Sequence, residues 1–358
     1  MARLKLETQL NSTKTTSTPH TIPQSERKIL MAKHWLTPLL ILAVSLTFTG
    51  CSPPSEKPLG IAVEFNNHAA CAYVANAKGW FAEEGLELLP IFQTYESGTA
   101  VATALARGDI QIAYLGITAA INTYARGVPI KIASGIHKYG YGLVTTPKIK
   151  SISDLENKTI ATLREGTVTD HLVNLMIEKH RLDNITILRM SPSDGVIALL
   201  TGRVDGAFIP EQHATTAELK GFPMLITSQE IWPGMQGDVL VLRTEFMQAN
   251  PTSVTKLLSV TQRATDWINA HPAETAEIMA KQLQITGDTM FPDDGTGATI
   301  DLEVTPKILS RSMERMVYST DLNPAIVQET IAFMVELGYI DAGLKAEDIM
   351  DLRYLQPS

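Results

Sequence analysis

From Leu59 onward, short β-branched and apolar runs alternate with longer segments of helical period, and the alternation is played through twice. That grammar commits the chain to an α/β architecture with largely parallel sheets. In the first round the pattern predicts strands over 61–65, 87–92, 110–115 and 130–134, with helices over 69–81, 98–106 and 119–126. A second round opens at Ser153-Asp154-Leu155, with strands over 158–162, 185–190 and 206–209. Its helices run over 170–180, 195–200 and 212–220, the last ended by Gly221. Two further apolar segments, 142–145 and 239–242, read as strands without hairpin partners of their own, and the expectation is that they serve as paired crossovers between two halves. After Asn250-Pro251 the pattern is helical over 252–270, 273–284, 307–318 and 324–337, with Pro251 and Pro272 at helix starts, where a missing N–H costs nothing. No repeat at solenoid spacing interrupts this reading.

The segment before this pattern reads as an export signal. Met31-Ala-Lys-His-Trp is a short basic start, followed by an apolar run over 36–48 and then Thr49-Gly50-Cys51. The run is about a dozen residues, short of the ~20 that span hydrocarbon, and small residues and a cysteine close it. The expectation is a cleaved signal with a lipobox-like end, Cys51 becoming the lipidated first residue of a membrane-anchored protein. Residues 1–30, polar and rich in Ser and Thr, precede a second Met where a signal should begin, so Met31 is the expected start. Residues 51–58 would be the tether.

Without residues 1–50 the chain has 24 basic and 36 acidic residues, a formal net charge of −12, which argues against nucleic acid as a partner. The remaining 308 residues hold no Gly/Ser/Pro-rich linker, so they suit one large domain or two intimately joined lobes. Two cysteines, Cys51 and Cys71, are too few for a thiolate zinc site or an iron–sulfur cluster, and Cys71 in Ala69-Ala70-Cys71-Ala72 reads as a buried helix residue. No Gly-x-Ser-x-Gly elbow and no phosphate-binding Gly-x-x-x-x-Gly-Lys is present, and nothing calls for a cofactor.

Several segments resemble a known group. Tyr73-Val74-Ala75-Asn76-Ala77-Lys78-Gly79-Trp80-Phe81-Ala82-Glu83-Glu84-Gly85-Leu86-Glu87 is similar to the opening helix and turn of the nitrate/sulfonate/taurine-type substrate-binding proteins and their relatives that bind pyrimidine precursors of thiamine. Ala104-Leu105-Ala106-Arg107-Gly108-Asp109-Ile110, Gly127-Val128-Pro129-Ile130 and Ile152-Ser153-Asp154-Leu155 resemble that group's later segments in the same order. So does Ala198-Leu199-Leu200-Thr201-Gly202-Arg203-Val204-Asp205-Gly206, followed by Pro210-Glu211. The resemblance covers about residues 59–285. It implies a type-two periplasmic-binding-protein fold, two doubly wound lobes joined by two crossover strands with a helical C-terminal tail. Lobe one would be 59–143 plus 240–358, and lobe two 144–239. It further implies an extracytoplasmic solute receptor without catalysis that delivers a small molecule to an ABC transporter permease and its ATPase. The alternatives are an enzyme on the same fold, like the thiamine-pyrimidine synthases of fungi, whose cysteine cluster is absent here, or a receptor feeding a signalling protein.

Physics assigns several signature residues to structure: Gly79, Gly85, Gly108 and Gly202 to left-handed turns, and Trp80, Phe81 and Leu86 to the core. Ligand, by contrast, is expected beyond the carboxyl ends of parallel strands, where loops lead into helix starts. That rule selects Glu64, Phe65, Asn66, His68, Tyr95, Ser97, Gly98, Thr99, Gly116 and Thr118 in the first half. In the second it selects Glu165, Gly166, Thr167, Thr169 and Glu211, with Tyr139 and Tyr141 bordering the hinge and His137 near the cleft. Ser97-Gly98-Thr99 and Gly166-Thr167-Val168-Thr169 place hydroxyls and backbone N–H groups at helix starts, as for an anion or as plain caps. Glu64, Glu165 and Glu211 favour a ligand with donors or positive charge instead. The histidines show no metal-binding spacing, and no metal is expected. Two ligand classes stay open: a sulfonate- or nitrate-like anion and a pyrimidine-like nutrient.

Overall fold

The computed structural model describes residues 60–86, 93–290 and 304–355, without the side chains of 286–290. The expected signal segment, Cys51, the tether and the strand expected over 87–92 lie outside the described residues.

In chain order the first elements are β1 (Ile61–Glu64), α1 (Ala70–Ala77), α2 (Trp80–Glu83), β2 (Gln93–Tyr95), α3 (Gly98–Arg107), β3 (Ile112–Gly116), α4 (Ile117–Ala125) and β4 (Ile130–Gly135). There follow β5 (His137–Tyr139), β6 (Tyr141–Thr145), β7 (Thr159–Thr162), α5 (Val168–His180), β8 (Thr186–Arg189), α6 (Pro192–Leu200), β9 (Gly206–Pro210) and α7 (Glu211–Leu219). Then come β10 (Met224–Thr227), α8 (Ser228–Ile231), β11 (Asp238–Arg243), α9 (Thr244–Ala249), α10 (Pro251–Ala270) and α11 (Pro272–Met290). The chain finishes with α12 (Pro306–Met313), β12 (Met316–Tyr318), α13 (Pro324–Glu336) and α14 (Ala346–Ile349).

These strands form two five-stranded sheets, in the orders β2-β1-β3-β11-β4 and β10-β6-β9-β7-β8. The β1–β2, β1–β3, β7–β8 and β7–β9 pairs are parallel, as the alternating pattern requires. The segments expected to be crossovers do carry the chain between sheets, but they do not pair with each other. β6 lies antiparallel between β9 and β10 in the second sheet, and β11 lies antiparallel between β3 and β4 in the first.

Two local expectations are corrected, and one strand is added. The helix expected over 69–81 is broken in two because Gly79 turns left-handed at φ +75°, a conformation that costs glycine little and other residues more. The helix expected over 307–318 stops at Met313, and Met316–Tyr318 pairs antiparallel with β5, a long-range ladder that overrides helical period. Strand β10, for which the sequence pattern carries no expectation, completes the edge of the second sheet beside β6.

Gly85, Gly108 and Gly202 also adopt positive φ, and Trp80, Phe81 and Leu86 are buried, as expected. One apolar core lies under α1, α10, α11 and α12, combining Val74, Leu257, Met279 and Leu309 with Val63, Tyr114 and Leu240 of the first sheet. A second runs through both sheets, from Leu105 and Leu115 past Tyr141 and Val168 to Leu172 and Phe208. Burial of this kind is worth roughly 25 cal/mol per Å² of apolar surface, so it supplies the main driving force for holding the two sheets together. Cys71 is a free, buried member of the first core, and burial pushes its thiol up to about 12, which leaves it protonated and inert. Among the described residues no helix is long and apolar enough to cross a membrane.

Candidate functional site

Beyond the carboxyl ends of β1, β3, β7 and β9 lies a narrow cavity with about 20 Å³ open to the centres of water-sized groups, enough for one or two of them. Its walls come from both sheets. Glu64, Gly98, Gly116, Thr118 and Ala119 supply one side; Leu163, Thr167, Val168, Thr169 and Pro210 supply the other, with Tyr141 between. The two sides meet closely, since a Cβ placed on Gly116 would stand 3.1 Å from Val168 Cγ2.

Of the residues selected from sequence, Glu64, Gly98, Gly116, Thr118, Thr167 and Thr169 line the cavity. Asn66 stands behind them: its Nδ2 donates to Glu64 Oε2 at 3.2 Å, and its Oδ1 accepts from His68 N at 2.8 Å. Gly166 is the left-handed turn before α5, its N–H donating to the buried Asp170 carboxylate at 3.2 Å. Asp170 also takes Arg189 at 2.8 Å and the Tyr339 hydroxyl, and so fixes the loop that carries Thr167 and Thr169.

The remaining selected residues do not line it. Ser97 does not cap α3 through its side chain but shares a 3.0 Å hydrogen bond with Thr99. Tyr95 donates to Gln93 at 2.9 Å, half-buried Phe65 continues the β1–β2 ladder through its N–H, and Glu165 is exposed. Half-buried Tyr139, at φ +65°, accepts from Gly234 N at 3.3 Å. Glu211 is held by Arg315 at 2.6 Å, an ion pair that joins α7 to the segment after α12 and is shared with Glu218. Its carboxyl is pushed up by burial, which Arg315 only partly offsets.

The site's electrostatics centre on Glu64. Its Oε1 accepts from Gly116 N at 3.3 Å, and a Cβ on Gly98 would lie 2.6 Å from the same oxygen, so the carboxyl sits against the first residue of α3 and the residue preceding α4. Burial, reinforced by the charge of Asp238 and opposed by His68, raises it to about 8. Beneath it lies a fully buried cluster that sequence spacing did not reveal: His68 Nδ1 is 3.5 Å and His137 Nε2 3.4 Å from Asp238 Oδ1. His68 Nε2 donates to Gly140 O at 2.8 Å, the Tyr141 hydroxyl donates to Asp238 Oδ1 at 3.2 Å, and Asp238 N–H donates to His137 Nε2 at 3.1 Å.

The histidines are driven apart. Burial alone would lower His68, but Asp238 outweighs it and His68 is raised. His137 is lowered by burial and by His68. Asp238, whose burial alone would raise it, is held well below the usual carboxylate range by the two histidines. The three side chains are near enough to hold a metal ion, with ligand atoms within 4.8 Å of one another. His137 Nε2 accepts from Asp238 N–H and Asp238 Oδ1 from Tyr141, while His68 Nδ1 and Asp238 Oδ2 have no hydrogen-bond partner.

What the cavity offers is recognition. Thr118 Oγ1, in the first turn of α4, is buried at the wall and has no hydrogen-bond partner. A buried hydroxyl left unsatisfied costs ~1–3 kcal/mol, a debt that a ligand bond removes. Sequence reasoning missed Asp238, at the start of β11, and Ala119 and Leu163, which carry no polar signal.

Comparison with known proteins gives the family and the fold. Residues 66–275 match the family model described as NMT1/THI5 like. The taurine-binding periplasmic protein of Escherichia coli K12 is 28% identical over 205 residues, covering 55% of this chain and 63% of that one. The ligand-binding component of an ABC-type import system from Staphylococcus aureus, solved with zinc bound, superposes with a TM-score of 0.66 at 16% identity, over 83% of this chain and 97% of that one. The alkanesulfonate-binding protein SsuA from Xanthomonas axonopodis pv. citri, bound to MOPS, gives 0.68 at 16% identity, over 82% and 98%. The fold is therefore the periplasmic-binding-protein fold expected from the sequence.

Proposed function

Because this chain belongs to the NMT1/THI5-like family, we propose that it is the solute receptor of an ABC import system, capturing a small polar molecule between two lobes and handing it to a permease driven by its ATPase. The observation that carries this reading is the convergence of buried polar groups on a cavity at the strand carboxyl ends, the unsatisfied Thr118 hydroxyl above all. Binding of relatives named for taurine and for import supports it.

In this reading the lobes are 59–143 with 240–358 and 144–239, β6 and β11 being the strands on which the chain crosses. Ligand contacts fall to Glu64, Gly98, Gly116, Thr118, Thr167 and Thr169. In this reading the protein is a receptor and not an enzyme, which relatives named as binding proteins support. The export signal and a lipid on Cys51 would hold the receptor at the outer face of the membrane beside its permease.

A thermal-shift screen of the purified protein against sulfonates, nitrate, bicarbonate, amines, amino acids, pyrimidines and flavins tests the proposal. A ligand at a hundred times its Kd adds ~2.7 kcal/mol of stability, a shift of a few degrees. A flat screen on folded protein counts against the receptor reading.

A further inference from the structure

We propose that the ligand's recognised group is a cationic nitrogen bearing N–H donors, as in an amine, guanidine or amidine, and that Glu64 both receives this group and closes the cleft to oxyanions. The inference rests on the receptor reading above and names the ligand class for the same cavity.

Two helix starts, those of α3 and α4, point at the cavity, and such ends ordinarily attract anions. Here the place is taken by the chain's own carboxyl. Glu64 Oε1 accepts the Gly116 N–H and packs so closely on Gly98 that no Cβ fits between them. A sulfonate or nitrate would have to displace a buried side chain that Asn66 also holds from behind.

The rest of the wall agrees. Among the described lining residues there is no lysine or arginine to neutralise an anion; Arg164, next to Leu163, is exposed and not among them. Thr118 supplies a buried hydroxyl without a partner; on the opposite side Thr167 Oγ1 donates to Arg164 O and shares a 3.3 Å hydrogen bond with Thr169 Oγ1, so that pair is already engaged. Hydroxyls accept hydrogen bonds from N–H groups as readily as they donate.

Proton bookkeeping follows from what faces Glu64. Asp238 lies beneath it and adds like charge, His68 opposes that, and the hydroxyls of Tyr73 and Tyr141 feel its charge. With Glu64 raised to about 8, the free site carries a neutral carboxyl at pH 7. A cation entering favours the carboxylate, so binding releases the Glu64 proton to solvent. Affinity therefore rises as pH rises toward 8 and levels off above it, by up to about tenfold per pH unit.

The test uses isothermal titration and melting curves on the purified protein, E64Q and E64S, each checked for a folded circular-dichroism spectrum. The probes are methylguanidine and ethylamine, both cations at pH 7, with ethanesulfonate and nitrate as anions. The expected results are wild-type binding of at least one cation, release of about one proton per ligand at pH 7 when buffers of different ionisation heat are compared, and at least tenfold weaker binding by E64Q. E64S, its plug removed, is expected to gain binding of nitrate or ethanesulfonate. Wild-type protein that binds either anion as well as E64S does would overturn the proposal while leaving the receptor reading intact. Failure of every probe with wild type and E64S alike would overturn the proposal, and the wider solute screen then decides the receptor reading separately.

Discussion

The two walls of the cavity are built on different principles. The wall from the first sheet is electrostatic: Glu64 projects from the end of β1 over the buried His68–His137–Asp238 cluster. The wall from the second sheet is neutral. It presents Leu163, Val168 and Pro210 for shape and Thr167 and Thr169 for hydrogen bonds; buried Asp170 is turned back into the loop that it braces, and buried Glu211 is held by Arg315. The contrast teaches that discrimination resides in the first wall, and that the second is a cover able to close on whatever the first has selected. Val168 resting against Gly116 shows how little space separates them.

If that division is right, damage to the first wall should cost most. D238N removes the charge that holds His68, and breaking a buried ion cluster from one side costs about 3 kcal/mol, to be read from urea unfolding. A loss under ~1 kcal/mol would mean that the cluster is not the framework of this wall.

The pH dependence of folding sharpens the same contrast. Glu64 is raised from about 4.5 to about 8, so its contribution is full below pH 4.5 and is lost as pH climbs through 8. His68, also raised, acts in the same direction above its unfolded value. Behind the second wall, His171 and His213 are lowered by burial to about 3 and about 4, so they favour the folded state above pH 6.5 and withdraw that support as pH falls toward those values. Stability of the free protein should therefore decline between pH 6.5 and 8, by up to ~1.4 kcal/mol per unit from Glu64, and E64Q should flatten that decline. Melting curves across this range check it; an unchanged slope in E64Q would place the charge elsewhere.

Smaller effects belong to the hydroxyls. Thr167 caps α5, its Oγ1 accepting from Asp170 N at 3.4 Å, and T167A should cost ~1 kcal/mol by chemical denaturation. T118V should do the opposite in the free protein, gaining a few tenths of a kcal/mol by removing an unsatisfied hydroxyl, while weakening the ligand bond. A destabilised T118V would show that the hydroxyl has a structural use.

Much of the framework was legible because strand and helix periods differ and the alternation recurs. Legibility failed where distant pairing decides. Met316–Tyr318 continues a helical period yet becomes a strand because β5 is there to receive it, and β6 and β11 separate into different sheets because each finds antiparallel neighbours. The rule that ligands sit at strand carboxyl ends found Glu64, Gly116, Thr118, Thr167 and Thr169. It could not find Asp238, which is 101 residues from His137 and sits within a strand. Nor could it tell that Glu211, at an equally suitable helix start, would be claimed by Arg315.

The account's central claim, a ligand held between these two walls, is tested most directly by hydrogen–deuterium exchange with the compound that raises the melting temperature most in the solute screen. The account predicts that saturating ligand protects amides around 116–123 and around 163–169 together, with little change on α13. Protection confined to one wall, or centred away from both, would contradict it.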